Sequence, residues 1–469
     1  MPGFWVAAGE WFTLLRHELM LFAASLFLLG AIDEIAIDLT YLWLRLTGRA
    51  RTPCLDEAQL LAAPLRGRCA VFIPAWREER VIGATVAHAL RVWPQGDLRL
   101  YLGCYPNDPE TMAAAARAAR GDPRLRIVVH DAAGPTSKPD CLNLLYRAIA
   151  ADELSEGRRA RMIVLHDAED MVDQAALPLL DEALESVDFA QLPVMALPQK
   201  GSRWIAGHYT DEFAEAHSRT MVVRSALGVG IPGAGVGCAI SRNWLGKLSR
   251  RRDDVGPFAA GSLTEDYELG LRLAALGARS RFVRARVTGG RLIATRAYFP
   301  NKLKAATQQK ARWVHGIAFQ GWDRLGWRGG LAARWMMLRD RRGPLAALLL
   351  TLAYGLMVVA GLEYLAVTAG LIAPPPLSPW LVTFLWLNLF AVVWRVAARA
   401  VFTAREFGWA EGALAVPRTI VSNAIAIVAG RRAAIAYLRT LRGEQAIWEK
   451  TEHDDHPALT SKRSDLQPA

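Results

Sequence analysis

Residues 345–372, LAALLLTLAYGLMVVAGLEYLAVTAGLI, form an apolar run longer than a globular core requires. A helix crosses the hydrocarbon of a bilayer in about 17 to 25 residues, so this run predicts a transmembrane helix. Residues 19–44 and 380–402 make the same prediction, the latter because residues 397–402 extend the otherwise short WLVTFLWLNLFAVVW. A chain of 469 residues that is 52% hydrophobic, with a mean hydropathy of +0.14, is therefore expected to divide into membrane helices and a separate domain. Arginines set the expected orientation. Arg45, Arg49 and Arg51 follow the first run, Arg334, Arg339, Arg341 and Arg342 precede the second, and Arg395, Arg399 and Arg405 lie at the far end of the third. APPPLSP, between the second and third runs, carries no charge. By the positive-inside rule the middle region and the C-terminus are expected to be cytoplasmic, residues 1–18 to lie outside, and residues 19–44 to be an uncleaved anchor.

The net charge of +11 and pI of 9.7 raise the question of nucleic acid. Much of the excess sits beside the apolar runs, where basic residues orient helices and meet anionic lipid. No basic strip is interleaved with aromatics, so no nucleic-acid partner is expected. The five cysteines include no CxxC pair, which fits reduced thiols and not a zinc site.

After a linker at residues 45–68, strand-like and helix-like segments alternate through residues 69–322. CAVFIPAW, LRLYLGCY, LRIVVHD and MIVLHD read as strands, each followed by a helical pattern. This order predicts an α/β domain with a doubly wound, mostly parallel sheet. The carboxyl ends of its strands share one edge, where ligands bind, and Glu78, Asp108, Asp131 and the acids of HDAED converge there. HDAED places Asp167, Glu169 and Asp170 at the end of a buried strand; either they face a site, or one of them caps the next helix. GVGIPG, at residues 228–233, matches a dinucleotide fingerprint in letters only, since no apolar strand precedes it and Pro232 interrupts the helix it should open. It reads instead as a glycine-rich wall close to a ligand, or as a tight turn into a strand. Thr264 suits an N-cap, and Glu265 and Asp266 suit a first helical turn; QQKARW alone could be a basic juxtamembrane face.

In combination and in this order, these segments resemble glycosyltransferase family 2, in particular the membrane-embedded processive type to which cellulose and hyaluronan synthases belong. PAWREE, at residues 74–79, is similar to the family's opening motif with Arg77 in place of the usual Asn. SKPDCLN puts Lys138 in the family's lysine position, DAE stands for DxD with Glu169 as its second acid, TED matches as it stands, and Gln309, Arg312 and Trp313 fill QxxRW. YPND, PTSKPDCLN, HDAED and TEDYELG together look closer still to the phage adsorption protein B type of inner-membrane glycosyltransferase. That type often carries a C-terminal cyclic-di-GMP-responsive domain, which this length is expected not to include.

The resemblance implies a nucleotide-sugar transferase with a GT-A-like fold, and the chemistry wants the same residue types. A divalent cation, Mg2+ or Mn2+, held by Asp167 and Glu169 with Asp170 as a third ligand, would stabilise a departing diphosphate. Asp266, beside Glu265, is the expected general base for the acceptor hydroxyl. Lys138 and Arg312 would neutralise diphosphate charge, Trp313 would offer a face to a sugar ring with Gln309 nearby, and Pro74, Glu78 and Asp108 would lie near the base and ribose. The expected reaction is inverting transfer from a UDP-sugar to a growing exported polysaccharide, with membrane lipids and envelope export partners. The alternatives are transfer of one sugar to a lipid-linked acceptor, and a catalytically idle membrane receptor or scaffold. A glycoside hydrolase would also use paired carboxylates, but would not need them clustered as in HDAED.

Outside this domain, residues 323–344 read as a basic juxtamembrane segment, residues 416–443 as an interfacial amphipathic helix, and residues 444–469 as a polar tail, disordered from His453 onward. Asp33, Glu34 and Asp38 fall inside the first apolar run. Acids there are costly, and the shared face of Glu34 and Asp38 either lines a polymer route or holds the helix against the catalytic domain.

Overall fold

The computed structural model describes residues 2–251, 256–444 and 455–459. One unbroken helix, α1 (Pro2–Leu46), precedes the α/β domain. The domain opens with β1 (Cys69–Pro74), α2 (Ile82–Val92), β2 (Leu98–Cys104), α3 (Pro109–Ala119), β3 (Leu125–Val129), α4 (Lys138–Glu156), β4 (Met162–Leu165) and α5 (Ala176–Ala183). These are the four predicted strand–helix units. Then come β5 (Phe189–Gln191), α6 (Ile205–Glu215), β6 (Cys238–Ser241), α7 (Glu265–Ala275), β7 (Ser280–Phe282) and α8 (Leu303–Val314). The seven-stranded sheet runs β3-β2-β1-β4-β6-β5-β7. Its first four strands are parallel, whereas β6 is antiparallel to both of its neighbours.

Side chains alternate across this sheet with the two-residue period of a strand. Val71, Ile73, Leu100 and Val164 face α2, α3 and α5, while Phe72, Tyr101, Ile163 and Leu165 face α4 and α7. Both faces are covered, which is why the central strands read as apolar runs.

Beyond the domain lie α9 (Gly343–Thr368), α10 (Pro379–Phe407) and α11 (Trp409–Leu441). With α1, four helices among the described residues are long and apolar enough to cross a membrane. Polar contacts between α1, α9 and α10 cluster at two outer levels, with Asn388 Nδ2 donating to Ala24 O at 2.8 Å between them. At one level Arg16 pairs with Glu363 and His17 meets Ser378 at 3.0 Å; at the other, Asp33 pairs with Arg342 and Glu34 with Arg395. The levels lie about 24 to 32 Å apart along the three helices at 1.5 Å per residue, close to the roughly 30 Å of bilayer hydrocarbon.

The first apolar run, expected at 19–44, lies inside α1, whose residues Gly9–Leu46 have the length and composition of a membrane span. From Asp33 onward α1 runs along the α/β domain, with Ile37 and Leu44 buried against Val223 and Met336. The three acids inside the expected span are the reason. Arg219 of the domain binds Glu34 at 2.8 Å and also pairs with Asp38, while Arg339 binds Glu34 at 2.9 Å and pairs with Asp33. Glu34 and Asp38 thus clamp the helix to the domain, the second of their two expected roles.

The helix expected at 416–443 begins earlier, at Trp409, and contains Pro417. Arg418 near its start is buried against Asp211 of α6 at 3.0 Å, while Tyr437 near its end stacks on Phe319 at 4.6 Å. Both ends therefore touch the α/β domain although the helix meets the length and composition of a membrane span. The expected disorder of the tail is corrected at residues 455–459, where His456 is 1% exposed; the tail's residues 445–454 and 460–469 lie outside the described residues.

Candidate active site

At the carboxyl edge of β1 and β4 lies a cleft of about 400 Å3. Its walls include five stretches that ordinary local chemistry puts in place. The first is the turn after β1. Pro74, Trp76 and Glu78 line the cleft, and Trp76 meets Tyr105 edge-on with ring centroids 5.1 Å apart. Arg77 holds a left-handed backbone, φ 54°, with its N–H on Asp108 Oδ2 at 2.6 Å. The other Asp108 oxygen accepts from Thr111 N and caps α3. Asp108, 2% exposed, is therefore spent on backbone donors and does not line the cleft, which corrects its expected place beside the ribose. It shapes the turn that presents Trp76 and Glu78.

A capping box starts α4. Ser137 Oγ accepts from Asp140 N, and Asp140 Oδ2 accepts from Ser137 N at 3.1 Å. This fixes Lys138 as the first helical residue, aimed into the cleft. Its Nζ lies 2.6 Å from Asp167 Oδ1 and 3.6 Å from Glu265 Oε1. Burial alone would lower the Lys138 pKa, but Asp167, Glu265 and Asp266 outweigh it and hold the ammonium above its ordinary value.

The third stretch is HDAED. Asp167 and Glu169 line the cleft, as does Asp170, but the Asp170 carboxylate is 2% exposed and committed. Its Oδ2 accepts from His166 Nδ1 at 2.8 Å and from Asp167 N at 3.0 Å. Asp170 is thus the internal brace of the loop and not a third metal ligand. The acid that serves the next helix is Asp173, which accepts from Ala175 N. Asp131 is exposed and lies outside the cleft lining.

Opposite stands the start of α7. Thr264 occupies the N-cap position without making the expected side-chain bond. Burial raises the carboxyl pKa of both Glu265 and Asp266, against the pull of Lys138. Asp266 is the more exposed, with Oδ1 on the Tyr267 N–H at 2.8 Å. The glycine-rich segment forms the wall behind it. A Cβ on Gly235, φ +76°, would stand 2.8 Å from Asp266 Oδ2, and one on Gly233 would stand 2.8 Å from Asp266 O. Close approach, not dinucleotide binding, is what these glycines serve.

The fifth stretch is α8, from which Gln309, Arg312 and Trp313 all reach the cleft. Gln309 Oε1 is buried without a hydrogen-bond partner among the described residues. Trp313 packs against Tyr209, Phe213 and Phe299 at centroid distances of 6.0 to 6.4 Å, and the Lys310 ammonium sits 4.9 Å from its ring. Sequence reasoning gave no role to Trp76, Tyr105 or the Tyr298–Phe299–Pro300 wall. Trp76 and Tyr105 stood inside quoted motifs as aromatics just after a strand; the third follows a three-residue strand with no pattern of its own.

Among the described residues no group of three or more His, Cys, Asp or Glu could by itself hold a metal ion. The pair Asp167 and Glu169 still fits Mg2+ or Mn2+, which are commonly held by one or two carboxylates with substrate phosphates completing the shell.

The chain shares its fold with a mannosyltransferase from Pyrobaculum calidifontis solved in complex with GDP-Man and Mn2+, at a TM-score of 0.52 and 14% identity over 86% of this chain and 99% of that one. It is 32% identical to bacteriophage adsorption protein B of Escherichia coli K12 over 95% of its length, and equally to bacteriophage N4 adsorption protein B of Escherichia coli O157:H7. The match spans 63% of the length of each of these relatives. Residues 67–316, which carry all five of these stretches, match the model of the glycosyltransferase like family 2, and the chain belongs to that family.

Proposed function

We propose that the chain is an inverting, divalent-cation-dependent glycosyltransferase of a bacterial inner membrane, with its catalytic domain in the cytoplasm. In this reading it moves a sugar from a UDP-sugar to a growing polysaccharide that leaves through envelope partners. One observation carries the reading: Asp266 and Asp167 face the same cleft from opposite walls, with Lys138 between them. That arrangement suits a reaction in which negative charge leaves on one side while a proton leaves on the other.

Asp167 and Glu169 would hold the cation, which acts there as a Lewis acid toward the departing diphosphate. Lys138 and Arg312 add positive charge on the same side, and the aromatic pair Trp76 and Tyr105 offers apolar surface to the base. Asp266 Oδ1 is engaged by Tyr267 N, so Oδ2 is the oxygen that takes the acceptor hydroxyl's proton. As the acceptor oxygen bonds to the anomeric carbon and gives its proton to Oδ2, the bond to diphosphate breaks on the opposite face and the configuration inverts. Trp313 and the unpartnered Gln309 Oε1 lie where an acceptor sugar could stack and donate.

The three polar-ended helices α1, α9 and α10 support a multi-pass membrane placement, and the two domain contacts of α11 support an interfacial position for it. The test is nucleotide release by detergent-purified protein across a panel of UDP- and GDP-sugars, with Mg2+ or Mn2+ and with EDTA, beside Asp266→Asn. Release from one donor that needs the cation and is lost in the variant is expected. No release from any donor by well-folded protein would overturn the reading.

A further inference from the structure

The HDAED loop is irregular backbone in a nearly closed setting, so its carbonyls need donors that no ladder supplies. Four side chains meet that need. Thr85 Oγ1 donates to Ala168 O, His88 Nε2 to Val172 O at 2.9 Å, and Trp93 Nε1 to Asp173 O at 3.1 Å. Thr85 and His88 lie on α2 and Trp93 at its end, a fixed part of the core. The fourth donor comes from the other end of the chain: His456 Nε2 lies 3.2 Å from Asp170 O. His456 Nδ1 accepts from Ala458 N at 3.1 Å, which assigns the ring proton to Nε2 and makes it the donor. His88 shows the same pattern, with Nδ1 accepting from Arg91.

We infer that residues 455–459 are part of the donor-site scaffold and that His456 is a positioning residue for the carboxylate loop. Asp170 is the hinge of the effect. Its carboxylate orients His166 and the Asp167 amide on the inside of the loop, while its carbonyl is held from outside by the C-terminal segment. Fixing that carbonyl fixes the peptide between Asp170 and Met171, and with it the direction in which Asp167 and Glu169 enter the cleft. A buried carbonyl left without a donor would turn toward water, and the loop would follow it. The proposal rests on the reading that this loop receives the donor nucleotide.

The test uses the full chain in detergent, as His456→Ala and His456→Gln. Gln can still reach with an N–H donor where Ala cannot. Two measurements are made: amide hydrogen exchange of a peptide covering residues 163–173, and steady-state KM and kcat for the donor. Loss of one hydrogen bond is expected to speed exchange in that peptide about fivefold in His456→Ala and to raise the donor KM by a similar factor, with kcat changing less than about twofold. His456→Gln is expected to restore both. Unchanged exchange in His456→Ala would overturn the inference, and so would equal damage in Ala and Gln, which would make the segment simple packing. If no variant turns over any nucleotide sugar, the proposed function falls, but the exchange measurement still decides this inference.

Discussion

Replacing Glu34 by Gln tests how the catalytic domain is held on its first helix. The Glu34 side chain is 11% exposed, within 2.8 Å of Arg219, 2.9 Å of Arg339 and 3.1 Å of Arg395, and also paired with Arg342. Stranding a charge by removing its buried partner costs about 3 to 5 kcal/mol. Here no arginine is fully stranded: Arg219 keeps Asp38 and Glu215, Arg339 and Arg342 keep Asp33, and Arg395 keeps Glu215 at 2.6 Å. The low end, about 3 kcal/mol, is therefore expected. For a domain of this size about 2 to 4 °C accompanies each kcal/mol, which lowers the midpoint by roughly 6 to 12 °C. Tryptophan fluorescence melting in detergent measures it, and a double-mutant cycle with Arg219→Met should show coupling of about 0.5 to 3 kcal/mol. A midpoint within about 2 °C of the unaltered protein, at equal expression, would refute the reasoning, because it would mean that the remaining pairs re-form without loss.

Asp266→Asn should lower turnover about 10²- to 10⁴-fold while nucleotide binding, followed by calorimetry, stays unchanged. Gly235→Ala demands a left-handed alanine with its Cβ against Asp266 Oδ2, so turnover should drop while expression holds; normal turnover would show that the wall yields. Because burial raises the Asp266 carboxyl above its ordinary value, the rate should climb with pH as that proposed base ionises; burial lifts Glu265 to about 7. The sign for stability is opposite. The folded chain holds the Glu265 proton more tightly than the unfolded chain, so its stabilising share is complete below about 4.5 and fades as pH rises toward 7, and Glu265→Gln should flatten the melting midpoint over that window.

The parallel half of the sheet was readable because CAVFIP and MIVL are buried on both faces and must be continuously apolar. The antiparallel half was not: Phe189–Gln191 and Ser280–Phe282 are three residues each, too short for any period. Lys138, Asp167 and Asp266 stood out in the sequence as charges at the end of a buried strand or the start of a helix, and the structure brings all three to one cleft. Asp108 and Asp170 carried the same signal for a different reason, since the turn after β1 and the HDAED loop need internal acceptors for their own N–H groups. Residue type marks where a buried carboxylate is required, not which way its oxygens point. The acids of the first apolar run left two roles open in the sequence, because their arginine partners stand hundreds of positions away.

The two polar levels of the helices also bear on which bilayer the chain can occupy. Arg16 with Glu363 at one level, and Asp33 and Glu34 with their arginines at the other, are fixed to each other by rigid helix. A thicker hydrocarbon layer would bury those pairs, and a thinner one would leave apolar side chains in water. Mismatch costs only fractions of a kcal/mol per Å, but it acts on every copy continuously. Under the proposed multi-pass placement, the same charges that hold the catalytic domain to its first helix would set the lipid thickness at which that domain sits level.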